Sequence, residues 1–283
     1  MHYFDFPLQK WTNDFVKEYL PYVEPFFDRI SDSLEVVLDG FTDLLLWIPA
    51  EIITLIIIIL AWRMAGIGVA VFSLIGLLYI GSINIGSVNM WTAAMETLAV
   101  ILNATFFSII IGIPLGILSA KSNKADNIIR PILDFMQTLP SFVYLIPTIL
   151  LFGVGGVPAV IATFVFATPP AVRLTNLGIR QVPEDVVEAA RAFGSTSWQM
   201  LVKVQLPIAK PTIMAGINQT IMLSLSMAVI AAMIGSPGLG SVVLQGITRV
   251  NFGLGLVGGL GIVVLAIVLD RITEGLSKRG KIN

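Results

Sequence analysis

Val187-Glu188-Ala189-Ala190-Arg191-Ala192-Phe193-Gly194-Ser195-Thr196-Ser197-Trp198-Gln199-Met200-Leu201-Val202-Lys203-Val204-Gln205-Leu206-Pro207 is the longest polar interruption in the apolar second half of the sequence. It reads as a short helix, a break and a second short helix. Pro183 suits a first helical position, and Glu184 and Asp185 follow in the first turn, where the helix dipole favours negative charge. Val186, Ala190 and Phe193 recur at i, i+4, i+7 and share one face. Gly194 can stop that helix in the left-handed conformation. Thr196 with Gln199 matches a capping box that opens the next helix, and Pro207 is expected to end it. By shape alone the stretch is equally well a connecting loop that happens to be helical.

Long apolar runs flank it on both sides. Of the 283 residues, 56% are hydrophobic and 12% charged, against roughly 25% charged in soluble domains. The chain therefore reads as an integral membrane protein, all-α. A net charge of -1 argues against nucleic-acid binding, and the absence of cysteine excludes disulfides, thiolate metal sites and cysteine nucleophiles. The single histidine, His2, makes a His-based triad or zinc site a poor reading, and no metal site is expected. The start is acidic and aromatic, unlike a cleavable signal peptide.

Taking roughly 20 apolar residues per crossing, seven spans are expected at about 47–62, 67–86, 92–119, 132–153, 157–178, 212–235 and 254–270. Before them, residues 1–29 carry nine aromatic rings suited to a membrane interface. Ile30, Leu34, Val37, Leu38, Phe41, Leu45 and Ile48 then outline an amphipathic helix that lies on the membrane or packs on the spans. The domain reading is 1–45 external, 46–89 two additional spans, 90–272 the membrane core with a loop at 180–210, and 273–283 a cytoplasmic tail.

Cytoplasmic loops are enriched in Lys and Arg. With the N-terminus outside, the inner face collects Arg63, Lys121, Lys124, Arg130, Arg173, Arg180, Arg191, Lys203, Lys210, Arg271, Lys278, Arg279 and Lys281. The outer face keeps only Lys10, Lys17, Arg29 and Arg249. The opening stretch and the C-terminus are thus expected in the cytoplasm of a multi-pass plasma-membrane protein.

The spans are punctuated by Pro114, Pro140, Pro147, Pro169 and Pro170, which kink membrane helices and free carbonyls. Gln137, Thr138, Ser141 and Tyr144 surround Pro140, while Asn218, Gln219, Thr220, Ser224 and Ser226 lie along the sixth span. Any one of these is readily an interhelical hydrogen bond. Together they outline a polar passage, for which Gln137, Thr138, Ser141, Tyr144, Gln219 and Ser226 are the candidates. Glycines at 153–156 and 235–240 read as turns, and Gly255, Gly258, Gly259 and Gly261 as close helix packing. The chain contains no P-loop, no paired ionisable residues deep in the spans and no repeat of broken helices. Uphill transport would then draw its energy from another subunit.

Glu188-Ala189-Ala190, Gly194 and Val204-x-Leu206-Pro207 resemble the EAA loop of ABC importer permeases in spacing throughout, with Val204 in place of Ile. Gln137-Thr138-Leu139-Pro140-Ser141-Phe142-Val143-Tyr144-Leu145-Ile146-Pro147, Ala167-Thr168-Pro169-Pro170 and residues 231–240 are similar to the permease subunits of glycine betaine/proline betaine importers, a likeness covering about residues 90–272. The resemblance implies a type I importer permease fold and no catalysis in this chain. It implies two permease copies, a separate ATPase subunit that binds ATP and Mg, and an extracytoplasmic binding protein, free or lipid-anchored. Glu188, Ala189, Ala190, Gly194, Val204, Leu206 and Pro207 would couple the chain to the ATPase. Glu188 would orient the loop or pair with a basic group. The cargo implied is glycine betaine or a related quaternary ammonium osmoprotectant, with choline, carnitine or proline as alternatives. An ion-coupled carrier is the competing mechanism.

Overall fold

A computed structural model describes residues 7–85 and 88–279. Among the described residues twelve α-helices follow one another: α1 Leu8–Trp47, α2 Ala50–Ala65, α3 Ile67–Ser82, α4 Met90–Lys121, α5 Asn123–Thr138, α6 Leu145–Phe152, α7 Gly156–Arg180, α8 Glu184–Ala192, α9 Ser197–Gln199, α10 Leu206–Ala232, α11 Leu239–Thr248 and α12 Phe252–Arg279. A two-stranded hairpin, β1 Asn84–Ile85 and β2 Val88–Asn89, joins α3 to α4. Among the described residues, four helical stretches are long and apolar enough to cross a membrane: α4, α7, Ser197–Ala232 and α12.

The expected spans therefore resolve unevenly. Those at 92–119, 157–178 and 254–270 lie within α4, α7 and α12. Spans 47–62 and 67–86 become two sixteen-residue helices, α2 and α3, packed as a hairpin. The second stops at Ser82 because Asn84 pairs with Asn89 across the β-hairpin. Asn89 then starts α4, its side-chain oxygen accepting from the amides of Trp91 (2.9 Å) and Thr92 (3.2 Å).

Span 132–153 is not one crossing helix. It is α5 and α6 bent by 108° about Leu139 and Pro140. Pro140 pushes Leu139 into extended backbone (φ -69°, ψ 132°). Pro140 leaves the Met136 carbonyl without its helical donor, and the Tyr144 hydroxyl donates to it, while Thr138 adds a second donor to the Phe135 carbonyl (3.0 Å), which already accepts the Leu139 amide. The other prolines behave differently, and α4 and α7 continue through Pro114 and Pro169-Pro170.

α1 is longer than the sequence suggests. It runs for 40 residues through Pro21 and Pro25, and meets α2 at 95°. Only part of its apolar stripe reaches the body: Leu38 is buried against Gly156, while Val37 is exposed. Residues 1–6 of the interfacial reading lie outside the described residues. The region after the sixth span also differs. Gly235 and Gly238 make the expected turn with φ of 85° and 111°, but α11 follows it. α11 packs so closely on α12 that a Cβ on Gly246 would lie 2.4 Å from the Gly255 nitrogen. Gly258 and Gly261 also receive α11 side chains, whereas Gly259 has open space around it. α12 continues to Arg279, past the boundary at 272.

The core is α4, α7 and α10. Small residues let these backbones meet: a Cβ on Gly112 would lie 2.9 Å from Ala171 Cβ, and one on Gly216 would lie 3.0 Å from the Pro170 carbonyl. Buried hydroxyls cross the same seams. Thr168 donates to Ser108 (3.1 Å) and Thr105 to Ser224 (3.4 Å).

Gly116→Val tests this packing, because its Cβ would sit 2.6 Å from both Thr175 Cβ and the Val172 carbonyl. The variant is expected to lose about 1–3 kcal/mol, read as a lower unfolding temperature of the purified transporter. Gly259→Ala should unfold with the wild type.

Candidate functional site: a helical loop at one end of the bundle

Helix ends sort onto two faces. One face gathers the ends of α4 and α7, the C-terminal part of α12 beside Met64, and the loop 181–205. The other gathers α1, the start of α7 and the α10–α11 turn, where Gly155 donates to Ile234 (2.8 Å).

α8 starts after Pro183, which is the cap rather than the first helical residue (φ -53°, ψ 135°). It carries Glu184 and Asp185 in its first turn and Arg191 in its last, as the dipole favours. A Schellman turn closes it: Gly194 (φ 79°) donates to the Arg191 carbonyl at 2.9 Å and Ser195 to Ala190 at 3.1 Å. The Thr196–Gln199 capping box forms in both directions, at 3.0 and 3.3 Å.

The expected end at Pro207 does not occur. α9 passes through a π-helical segment, Met200–Gln205, directly into α10, and the whole of Ser197–Ala232 is one 36-residue helical stretch. The wider turn accommodates the missing Pro207 amide at the second position of α10. Val204 and Leu206 are half-buried in this segment, and Leu206 packs around the buried Ile179, Leu201, Ala209 and Ile213.

Val186 and Ala190 are half-buried, so they do not extend one exposed face to Phe193. The exposed apolar groups are Phe193 (91% exposed) and Trp198 (70%), on either side of the Gly194 turn. Glu188 and Ala189 are exposed. Behind α8 lies a cleft of about 560 Å³ lined by Lys121, Arg180, Glu188, Arg191 and Met200, among others. Glu188 borders these cations, but the ion pairs among the described residues fall on Asp126, Asp134, Asp270 and Glu274.

A polar hub ties the loop's supports together. Buried Asp126 accepts from Ser119 (2.5 Å), Asn176 (2.8 Å) and Arg130 (3.0 Å), with Arg180 at 3.7 Å. Arg180 also donates to the Ser119 carbonyl (2.8 Å), and Lys121 to the Ser197 carbonyl (3.4 Å). Arg173 pairs with Asp134 nearby. On α10, Asn218 donates to Asp270 (2.9 Å) and accepts from Thr273, holding α12. Neither cluster was apparent from sequence. Asp126–Arg130 and Asn176–Arg180 are each i,i+4 pairs, but 50 residues separate the two.

The candidate passage residues form two groups. Gln137, Thr138, Ser141 and Tyr144 lie at the α5–α6 bend, where Gln137 and Thr138 are exposed, Ser141 is half-buried and Tyr144 is buried edge-on to Phe166. Gln219 and Ser226 share an exposed face of α10, seven residues apart. The two elements meet where Tyr144 and Leu145 pack with Met227 and Ala231. No group of three or more His, Cys, Asp or Glu side chains that could hold a metal ion occurs among the described residues.

Apolar helices around a close-packed core, with a capped helical loop at one end, are the architecture of an integral membrane protein. Residues 112–281 match the family described as binding-protein-dependent transport system inner membrane component. The chain belongs to this family, the permeases of ABC importers. It is 50% identical over 272 residues to the glycine betaine/proline betaine transport system permease protein ProW of Escherichia coli, covering 96% of this chain and 75% of ProW. It is 47% identical to the glycine betaine transport system permease protein OpuAB of Bacillus subtilis, over 90% of this chain and 89% of that one. In fold it is similar to a chain of the inward-facing MetNI methionine ABC transporter, with a TM-score of 0.63 at 22% identity, covering 69% of this chain and 99% of that chain.

Removing the hub carboxylate tests its role in holding α5 to α7. Asp126→Ala should cost about 2 kcal/mol, as expected for hydrogen bonds to a charged group. Asp126→Asn, which keeps the shape and part of the bonding, should cost less. Thermal unfolding of the two purified variants separates them.

Proposed function

We propose that this chain is the membrane subunit of an ATP-driven importer for glycine betaine or a related quaternary ammonium osmoprotectant. The observation that carries the coupling role is the pair Phe193 and Trp198. Both are large apolar side chains left in solvent on a rigidly capped turn, and that turn continues without a break into α10. An ATPase subunit docking there would cover both rings. It would bind ATP and Mg itself, and this chain would contribute no catalytic residue.

Glu188, Ala189 and Ala190 would seat α8 in the ATPase, with Gly194 setting the angle between α8 and α9. Val204, Leu206 and Pro207 would carry displacement of the loop into α10. Small Ala189 and Ala190 permit close approach, and Glu188 lies near Arg180 and Arg191 without being committed to either. A second copy of the chain would complete the passage in the lipid bilayer. Gln137, Thr138, Ser141 and Tyr144 would line it from the α5–α6 bend, and Gln219 and Ser226 from α10. Phe135 and Phe142 are exposed beside the bend, whereas Tyr144 is buried, so the polar candidates themselves offer no aromatic cage and suit a path that must release its cargo. Tight cation–π capture belongs in the extracytoplasmic binding protein.

The orientation follows from charge. The loop face holds Arg63, Lys121, Lys124, Arg180, Arg191 and Lys203 and is assigned to the cytoplasm with the C-terminus. The opposite face, with α1, is assigned to the outside.

The test is uptake by the full complex against a panel of labelled glycine betaine, choline, carnitine and proline. Accumulation of betaine is expected only with ATP, the ATPase and the binding protein. Accumulation by this chain alone on an ion gradient would overturn the proposal. Gly194→Val forces a β-branched residue to φ 79°. It should leave membrane insertion intact and abolish betaine uptake, with ATP hydrolysis uncoupled or the ATPase lost on purification. Unchanged uptake and unchanged co-purification would count against coupling through this turn.

A further inference from the structure

The α2–α3 hairpin carries a groove that neither the coupling loop nor the candidate passage uses. Its volume is about 470 Å³, within the range of roughly 300–1,000 Å³ common for ligand sites. It is ordered from polar to apolar. Glu51 and Thr54 mark the end where Gly81, Ser82 and Trp91 also stand, and Leu55, Ile58, Leu74 and Leu78 continue the groove away from it, Leu55 and Leu78 as exposed rims. A Cβ on Gly81 would stand 3.9 Å from the Trp91 ring, so the missing side chain leaves this part of the groove open.

The level of the groove in the membrane follows from the chain itself. α1 turns aside by 95° where α2 begins, and Trp47 at that corner is 83% exposed. Tryptophan favours the headgroup level. Glu51 lies one turn further, at the mouth of a lipid-facing groove. It makes no ion pair with any described residue, so its charge stands uncompensated at the mouth of the groove. Its place in the first turn of α2 suits the dipole, but that does not account for the apolar channel running away from it.

An occupant must bring an apolar chain for the groove and a cation for its mouth. An anionic headgroup would meet Glu51 with like charge. A choline headgroup brings a cation without hydrogen-bond donors, whereas a primary ammonium brings three. We propose that this groove binds one phospholipid with a primary-ammonium headgroup, phosphatidylethanolamine, with an acyl chain between α2 and α3 and its ammonium on Glu51. The proposal rests on the membrane placement of α2 and α3 and is independent of the solute carried.

Native mass spectrometry of the purified transporter complex, titrated with phosphatidylethanolamine, phosphatidylcholine and phosphatidylglycerol, reads the preference. Retention of the first should exceed the others by about fivefold, the ratio that one well-placed interfacial ion pair supplies. A phosphatidylethanolamine with a photoreactive acyl chain should cross-link within residues 51–58, 74–82 and 91. Glu51→Gln should bring the preference near unity and leave the cross-link map in place. Gly81→Leu, which fills the floor, should remove the cross-links. Equal retention of the three lipids by the wild type, an unchanged preference in Glu51→Gln, or cross-links spread over the exposed faces of α3 and α12 would each overturn the site. Betaine uptake measured on the same preparations keeps the outcomes apart, because uptake lost with lipid binding intact bears only on the transport function.

Discussion

The backbone of α7 touches α4 on one side and α10 on the other, and the rest of the molecule hangs on those two contacts. Glycine makes both possible: Gly112 and Gly116 on α4, Gly216 on α10, and Gly178 on α7 itself against Ala209. In a bilayer, helices gain nothing by withdrawing apolar surface from water, so close packing and hydrogen bonds must hold them together. The seams supply both. Ser108 pairs with Thr168 and Thr105 with Ser224 across these seams, while the buried Thr163, Thr175 and Thr220 hydroxyls contribute packing without a hydrogen-bond partner.

The geometry of the loop at 181–205 follows from that core. The loop at 181–205 leaves from the end of α7 and returns as α10, so both its ends are fixed to helices already in contact. The Schellman turn at Gly194 and the capping box at Thr196 remove slack from the middle, and the π segment removes the break that Pro207 would otherwise make. Asp126 adds α5 to the same body through Ser119 and Asn176. A force applied at Phe193 and Trp198 therefore meets a braced lever with few soft joints.

The bend at Pro140 is the place where the bundle departs from straight helices. It survives because Tyr144 supplies the donor that Pro140 cannot give the Met136 carbonyl. One consequence is a divided use of polar residues. Tyr144 serves the bend with its hydroxyl and the core with its ring, while Gln137 beside it stays exposed. On α10 the buried Ser224 bonds within the bundle, and Gln219 and Ser226 face away from it.

Membrane residence and the capped helical loop at 181–205 were legible in the chain because they are local. Hydropathy, the spacing Glu188–Gly194–Pro207, and the Thr196–Gln199 pair each act over a few helical turns. Family membership was legible for the same reason. The length of α1, the break of 132–153 into α5 and α6, α11, and the passage of helix through Pro207 were not. The first three depend on contacts between helices, Leu38 with Gly156, the Tyr144 hydroxyl with the Met136 carbonyl across the bend and Gly246 with Gly255 across the α11–α12 turn, and the fourth on a π-helical segment that no sequence pattern announces. The Asp126 hub is the clearest case. Its two i,i+4 pairs are ordinary surface pairs when read along the chain, and only the packing of α4, α5 and α7 turns them into one buried network. Local patterns assign a residue its helix and face, but which donor meets which acceptor across 50 residues is decided by the approach of backbones that only the tertiary structure sets.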